Sequence, residues 1–182
     1  MKILNVKPKR YLEQGMRYCG GYTIKAILSA YGLDDNRDPK EYLPFLWKSL
    51  GFTTPNVIQN VLRGYGIRSQ IIIISNLPDN KKLEIIKKEL DKNHPVILLI
   101  GNGYSKEGKY SWLKQKLAGH WISVWGYDNK KKLFYIYDSY SHKKNIPPIG
   151  NVKRTYSQLL RDWKGAIYTK SYLYISINKK RK

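Results

Sequence analysis

Gly119-His120-Trp121-Ile122-Ser123-Val124-Trp125-Gly126-Tyr127 runs into Asp128-Asn129-Lys130-Lys131, and Lys132-Leu133-Phe134-Tyr135-Ile136-Tyr137-Asp138-Ser139 follows. Two alternating runs of β-branched and aromatic residues around a polar Asp-Asn turn predict a β-hairpin. With the turn centred on Asn129, His120 stands nine residues before the centre and Asp138 nine after, so the two are expected directly opposite each other. Alternation puts His120, Ile122 and Val124 on one face with Asp138, Ile136 and Phe134. Directly opposed Cβ atoms lie about 4.5–5.5 Å apart, close enough for an imidazole and a carboxylate to hydrogen-bond. The apolar neighbours place that pair at the edge of a core, where a low dielectric strengthens the bond and orients the ring. The same placement also suits a cross-strand pair that only stabilises the hairpin.

Upstream of the hairpin the pattern is mostly helical. Residues 1–14 read as an extended arm ending in a loop. Tyr22, Ala26, Ile27 and Ala30 recur at three- and four-residue steps, which predicts an amphipathic helix from Cys19 to Tyr31 stopped by Gly32. Asp38-Pro39 is expected to open a helix carrying Tyr42, Leu43, Leu46, Trp47 and Leu50. Pro55 is expected to open another, ending at Gly64. Ile67 to Ile74 reads as a buried strand, Lys82 to Leu90 as a helix and Pro95 to Ile100 as a strand. A glycine- and lysine-rich loop from Gly101 to about Leu117 is expected to border the cleft. A short helix over 155–163 and a strand from Ala166 to Ile177 close the chain. Helices first and an antiparallel sheet afterwards predict an α+β fold.

The single cysteine, Cys19, cannot form an intrachain disulfide or a cysteine-rich zinc site. A lone cysteine is either a small buried hydrophobe or a thiolate with chemistry to do. Its predicted place at a helix start favours the thiolate, because a helix N-terminus offers free N–H groups and roughly half a positive charge. Gly20 and Gly21 would let a substrate backbone approach. Gln14, just upstream, can supply a side-chain amide to the oxyanion of a tetrahedral intermediate. A cysteine at a helix start, a histidine at a strand start and an aspartate one strand later follow the logic of a Cys–His–Asp triad. His94, before a proline, reads as a turn residue and His142 as a loop residue. No His-x-x-x-His or similar spacing points to a metal, and no cofactor is expected.

Taken together, Gln14 to Gly21, Asn93-His94-Pro95-Val96-Ile97, His120 to Asp128 and Tyr137-Asp138-Ser139 resemble papain-like cysteine peptidases of the C39-like group, which includes domains that process bacteriocin leaders. The resemblance spans roughly residues 10–177. It implies a papain-like fold, an N-terminal helical half packed on a C-terminal antiparallel sheet. It also implies Cys19 as nucleophile, His120 as base, Asp138 as its orienter and Gln14 in the oxyanion hole, with a peptide or protein as substrate. The sequence departs from the group in having Tyr18 before the cysteine, Gly20-Gly21 after it and a short gap from Gln14. No transporter segment accompanies it, so processing of an exported leader is not implied. Catalytic residues of this kind also serve deamidation, transamidation and removal of ubiquitin-like tags, and a catalytically inactive adaptor would keep the same fold.

The 182 residues are read as one such domain, with flexibility expected in the arm 1–10 and the basic tail 178–182. The net charge of +21 would attract nucleic acid, an anionic membrane or an acidic polymer, which defines a rival binding function. Sixteen tyrosines and five tryptophans could serve stacking, but most fall at core-packing positions. Lysine outnumbers arginine 26 to 8 and is scattered in pairs and triplets, whereas phosphate and base recognition favours arginine. No apolar run reaches the ~20 residues that span a bilayer, and Met1 to Arg10 lacks a signal-peptide core, so a cytoplasmic location is expected, with export by a route the sequence does not show as the alternative. Neither oligomeric state nor the identity of the substrate is encoded in any motif.

Overall fold

The computed structural model describes residues 1–34, 36–143 and 146–178 of the chain; the basic tail over 179–182 and Lys144 lie outside the described residues. Strand β1 (Lys2–Ile3) leads to helix α1 (Cys19–Ala30), a 3-10 turn at Pro39–Tyr42, and helices α2 (Phe45–Leu50) and α3 (Pro55–Gly64). Then follow β2 (Arg68–Ile73), α4 (Asp79–Asp91), β3 (Val96–Gly101) and α5 (Trp112–Leu117). Strands β4 (Gly119–Asp128), β5 (Leu133–Tyr137) and β6 (Val152–Thr155) come next, and α6 (Tyr156–Trp163) and β7 (Leu173–Asn178) end the fold.

Three helices end by the same device. After α1, Gly32 takes a φ of 70° and Leu33 N–H reaches back to the Leu28 carbonyl at 2.8 Å. Gly66 and Ile67 do the same after α3, and Asn93 and His94 after α4. This left-handed stop satisfies carbonyls that the last helical turn leaves open. The helix expected from Asp38 to Leu50 is divided, because Pro44 forces Leu43 into an extended conformation (ψ 138°) and starts α2 afresh.

The sheet runs β2-β7-β3-β4-β5-β6, with every neighbouring pair antiparallel, and β1 pairs with β4. All six residues of β3 and nine of ten in β4 are buried on both pleat directions, so both sheet faces are covered there. Helix α1 packs on β4 and α3, α3 on β2, while α4 and α6 pack against β3, β4 and β5. Each fully buried Ile, Leu, Val or Phe in this core contributes about 1.5–3 kcal/mol of transfer free energy. The run Ile67 to Ile74, expected as a buried strand, is instead the sheet's edge. Strand β2 pairs with β7 alone, and Ile73 is 45% exposed. The N-terminal segment is held by two β1 pairs, Lys2 with Tyr127 and Ile3 with Gly126, and by the buried side chain of Leu4.

The hairpin forms in a register different from the expected one. Asp128 pairs with Leu133 across a turn in which the Asp128 carboxylate accepts from the Lys130 and Lys131 N–H groups. Tyr127 then pairs with Phe134 and Gly126 with Tyr135, but Val124 pairs with Ile136 and Ser123 with Tyr137. Trp125 is thus an extra residue in β4, a β-bulge. Its carbonyl accepts from Leu4 N–H at 3.1 Å, so the N-terminal segment satisfies the group the bulge leaves out of the ladder.

Candidate active site

The bulge decides which face Asp138 shares. Were the ladder regular from Tyr127 onward, Trp125 would meet Ile136, Val124 would meet Tyr137, and Asp138 would face Ser123, on the side opposite His120. With Trp125 out of step, the position across from Asp138 is Ile122, which lies on the same face as His120. The pair is therefore diagonal rather than directly opposed. The imidazole crosses the longer diagonal with its distal nitrogen: Nε2 lies 2.7 Å from Asp138 Oδ1. Tyr140 packs edge-on to the ring at 6.2 Å.

His120 and Asp138 are 3% and 4% exposed. Burial alone would lower the His120 pKa, but the charge and hydrogen bond of Asp138, with a further hydrogen bond to Cys19, push it up to about 9. Burial would raise Asp138, but the charge and hydrogen bond of His120, together with the Arg154 guanidinium, hold it down to about 2. The imidazole thus carries the carboxylate on Nε2 and has the Cys19 thiol as a further neighbour.

Cys19 is the first residue of α1 and is half-buried. Tyr18 before it adopts a left-handed φ of 73°, tied down by its N–H to the Gly51 carbonyl, and turns the chain sharply into the helix. No side chain caps α1. Gly20 and Gly21, expected to admit a substrate, serve packing inside the protein instead. A Cβ on Gly20 would lie 2.6 Å from Thr53 Cβ, and one on Gly21 2.3 Å from the Pro39 carbonyl oxygen.

Gln14 is buried and docked on the residue after Asp138. Its N–H donates to the Ser139 carbonyl at 2.7 Å, and its Oε1 accepts from the Ser139 hydroxyl at 2.5 Å. That anchor leaves the Nε2 amide of Gln14 as its available donor. His94 and His142 lie elsewhere, next to Glu89 (3.5 Å) and Glu13 (2.7 Å). The loop 101–117 contains a Tyr104–Tyr110 bridge and α5, and none of it lines the groove beside Cys19. Tyr104 to Gly108 instead flank a cavity of about 150 Å³ beside Asp138 and Arg154.

Several polar residues around Asp138 escaped the sequence reading. Asn151 Oδ1 accepts from Asp138 N–H and its Nδ2 donates to the Asp138 carbonyl, both at 2.8 Å. Arg154 Nη2 donates to Asp138 Oδ2 at 2.7 Å, and its Nη1 to Asp162 Oδ2 at 3.0 Å. Arg154 lies in a four-residue strand with no apolar periodicity, adjacent to Lys153, and so reads as surface charge. The one available signal is chemical: an arginine in a chain that otherwise favours lysine marks a place needing two parallel donors.

Beside Cys19 opens a groove of about 760 Å³, walled by Phe52, Ile71, Leu99, Trp121, Tyr168 and Leu173. Among the described residues, no group of three or more His, Cys, Asp or Glu side chains could hold a metal ion. Nor, among them, is any helix long and apolar enough to cross a membrane.

A helical half bearing the thiol and a sheet half bearing the imidazole, with a groove between, is the division of labour of the papain-like fold, and this chain is a cysteine peptidase by class. More narrowly, it belongs to the Peptidase_C39 like family, whose model matches residues 3–166. No curated protein matches the sequence. Among solved structures, a putative C39-like peptidase from Bacillus anthracis aligns with a TM-score of 0.60 at 15% identity, covering 100% of both chains. The peptidase domain of Streptococcus ComA, a bifunctional ABC transporter of a quorum-sensing pathway, aligns at 0.60 and 17%, covering 94% of this chain and 98% of that one. A double glycine motif protease from an AMS/PCAT transporter, solved with its leader peptide, aligns at 0.53 and 14%, covering 99% of each.

Proposed function

We propose that the protein hydrolyses peptide bonds with Cys19 as nucleophile, His120 as general base and acid, and Asp138 as the residue that orients His120. The observation that carries this is the bracketing of one buried imidazole by a carboxylate and the chain's single thiol. His120 takes the Cys19 proton, and the thiolate attacks the carbonyl carbon to give a tetrahedral oxyanion. The Cys19 N–H, at the uncapped start of α1, and Gln14 Nε2 are the donors for that oxyanion. The imidazolium then returns its proton to the amine as the C–N bond breaks. A water molecule deprotonated by His120 splits the thioester and restores the thiol.

The groove argues for a peptide presenting large apolar side chains, since its walls offer aromatic and aliphatic surface and few hydrogen-bond partners. The similar protease solved with a leader peptide supports a peptide as substrate class. The test is mass-resolved digestion of a peptide library by the protein, by Cys19→Ala and by His120→Ala. Two fragments per cleaved peptide, absent with both variants, is the expected result. Mass changes without chain cleavage would replace hydrolysis by deamidation or transamidation. Salt-sensitive oligonucleotide binding equal in all three proteins, without turnover, would favour the binding function.

A further inference from the structure

The buried side of the site holds more charge than a three-residue mechanism uses. Starting at the ring, the order is His120, Asp138, Arg154, Asp162, Arg161, with sign alternating at each step after the titratable imidazole. Arg154 and Asp162 are 2% and 0% exposed. Arg161 closes the series with Nε and Nη2 both 3.0 Å from Asp162 Oδ1, and its Nη2 also donates to Tyr104 at 2.7 Å. We propose that Arg154 is a positioning residue, holding Asp138 ionised and aimed at His120 in both protonation states of the imidazole. This rests on the assignment of His120 as the proton carrier.

Three observations lead there. First, Asp138 divides its oxygens. Oδ1 receives His120 and the Tyr140 N–H (3.0 Å), while Oδ2 receives Arg154, so the guanidinium does not compete for the oxygen that orients the ring. Second, His120 must be neutral for part of each turnover. A carboxylate this deeply buried then needs another counter-charge, and a guanidinium is the one side-chain cation that never releases its proton in that range. Third, Arg154 reaches the two carboxylates with two separate nitrogens whose spacing the rigid guanidinium fixes, whereas an ammonium would have to serve both from one nitrogen.

The other groups around the pair come from every neighbouring element. Cys19 faces it from α1 and Tyr137 and Tyr140 from β5 and the segment after it, while the Tyr104 ring from the loop lies under the Arg154 guanidinium. Lys106 and Lys114 lie over the Tyr140 ring. None of these replaces the direct contact of Arg154 with Asp138. The presence of Arg154 also repels a proton on His120, so its loss leaves the imidazolium as the charged partner of Asp138 beside the Tyr140 N–H and retards release of that proton.

The test uses the full chain with Arg154→Met/Asp162→Asn, which removes one charge of each sign, and Arg154→Lys. Thermal unfolding reports the fold, and pH profiles of peptide hydrolysis and of Cys19 alkylation report the site. For the double variant, kcat at pH 7 is expected to fall about tenfold with KM within about twofold, and the basic limb to move up about one pH unit. A folded double variant whose profiles superimpose on those of the unaltered protein would show Arg154 to be structural only. Arg154→Lys keeps a cation, so the basic limb stays near its original place while kcat falls several-fold. Undiminished kcat in that variant would overturn the need for the fork, whether or not the double variant folds. His120→Ala separates the two levels. If it leaves alkylation unchanged, the assignment of His120 fails; if it alters alkylation while the Arg154 variants do not, the Arg154 inference alone fails.

Discussion

The two sides of the candidate site are built on opposite principles. Behind His120, the wall is polar, closed and cross-braced: Asp138, Asn151, Arg154 and Asp162 are all buried and hydrogen-bonded to one another. Beside Cys19, the wall is apolar and open, with Phe52 54% and Tyr168 70% exposed, and the Tyr168 hydroxyl accepts from the Gly119 N–H at 2.7 Å rather than joining a buried network. The difference matches what each wall has to do. A proton carrier must be kept in one geometry, and a cross-linked buried network does that, although Arg154 Nε has no hydrogen-bond partner within it. A surface that receives varied side chains needs area and adaptability instead.

The comparison can be broken most sharply at its polar end. His120→Ala should cut peptide hydrolysis by about 10³-fold and slow Cys19 alkylation at pH 6 at least about tenfold. An unchanged alkylation rate would detach the thiol from the polar wall altogether. Asp162→Ala leaves Arg154 and Arg161 without their shared carboxylate, and should cost about 3–5 kcal/mol in urea unfolding. A loss below ~1 kcal/mol would mean that the network braces nothing.

The same wall carries a pH signature. His120 is raised from 6.5 to about 9, so the stability its charged form contributes is fully present below about pH 6.5 and is lost as pH rises through about 9. Asp138 is lowered from 3.8 to about 2, so its contribution is present above about pH 3.8 and lost as pH falls through about 2. Melting temperature should therefore hold steady between those limits and decline on the alkaline side by the equivalent of roughly 3 kcal/mol. His120→Gln should flatten that decline.

Smaller effects belong to the Cys19 side. Gly20→Ala forces a methyl against Thr53 and should cost about 1–3 kcal/mol, most of it recovered by adding Thr53→Gly. Failure of the second change to restore stability would return these glycines to a role in substrate approach. Phe52→Ala and Tyr168→Ala should leave stability within ~0.5 kcal/mol and raise KM for apolar peptides several-fold. An equal loss of kcat would show the open wall to be as constrained as the closed one.

Much of this was legible from residue pattern alone. The helix beginning at Cys19 announces itself by its 3.6-residue periodicity and its Gly32 stop, and the hairpin by its alternation around Asp128-Asn129. His120 and Asp138 were matched correctly on a mistaken register. The expected direct pairing and the observed diagonal one differ by two residues along one strand, and a shift of two keeps the face. The exposed edge strand over 68–73 was misread because a β-branched run does not say how many neighbours its strand will have.

The sequence by itself determined the chemical types, the single thiol and the periodicities, because these depend on residues a few positions apart. Tertiary structure alone decided three things. It placed the bulge at Trp125, where Leu4 from the far end of the chain receives the displaced carbonyl. It docked Gln14 on Ser139 and gave Arg154 its two carboxylates. It also turned Gly20 and Gly21 inward against Thr53 and Pro39. Each of these depends on segments that meet only once the core has formed, and burial then leaves a polar group or a methyl-sized space with one low-energy solution.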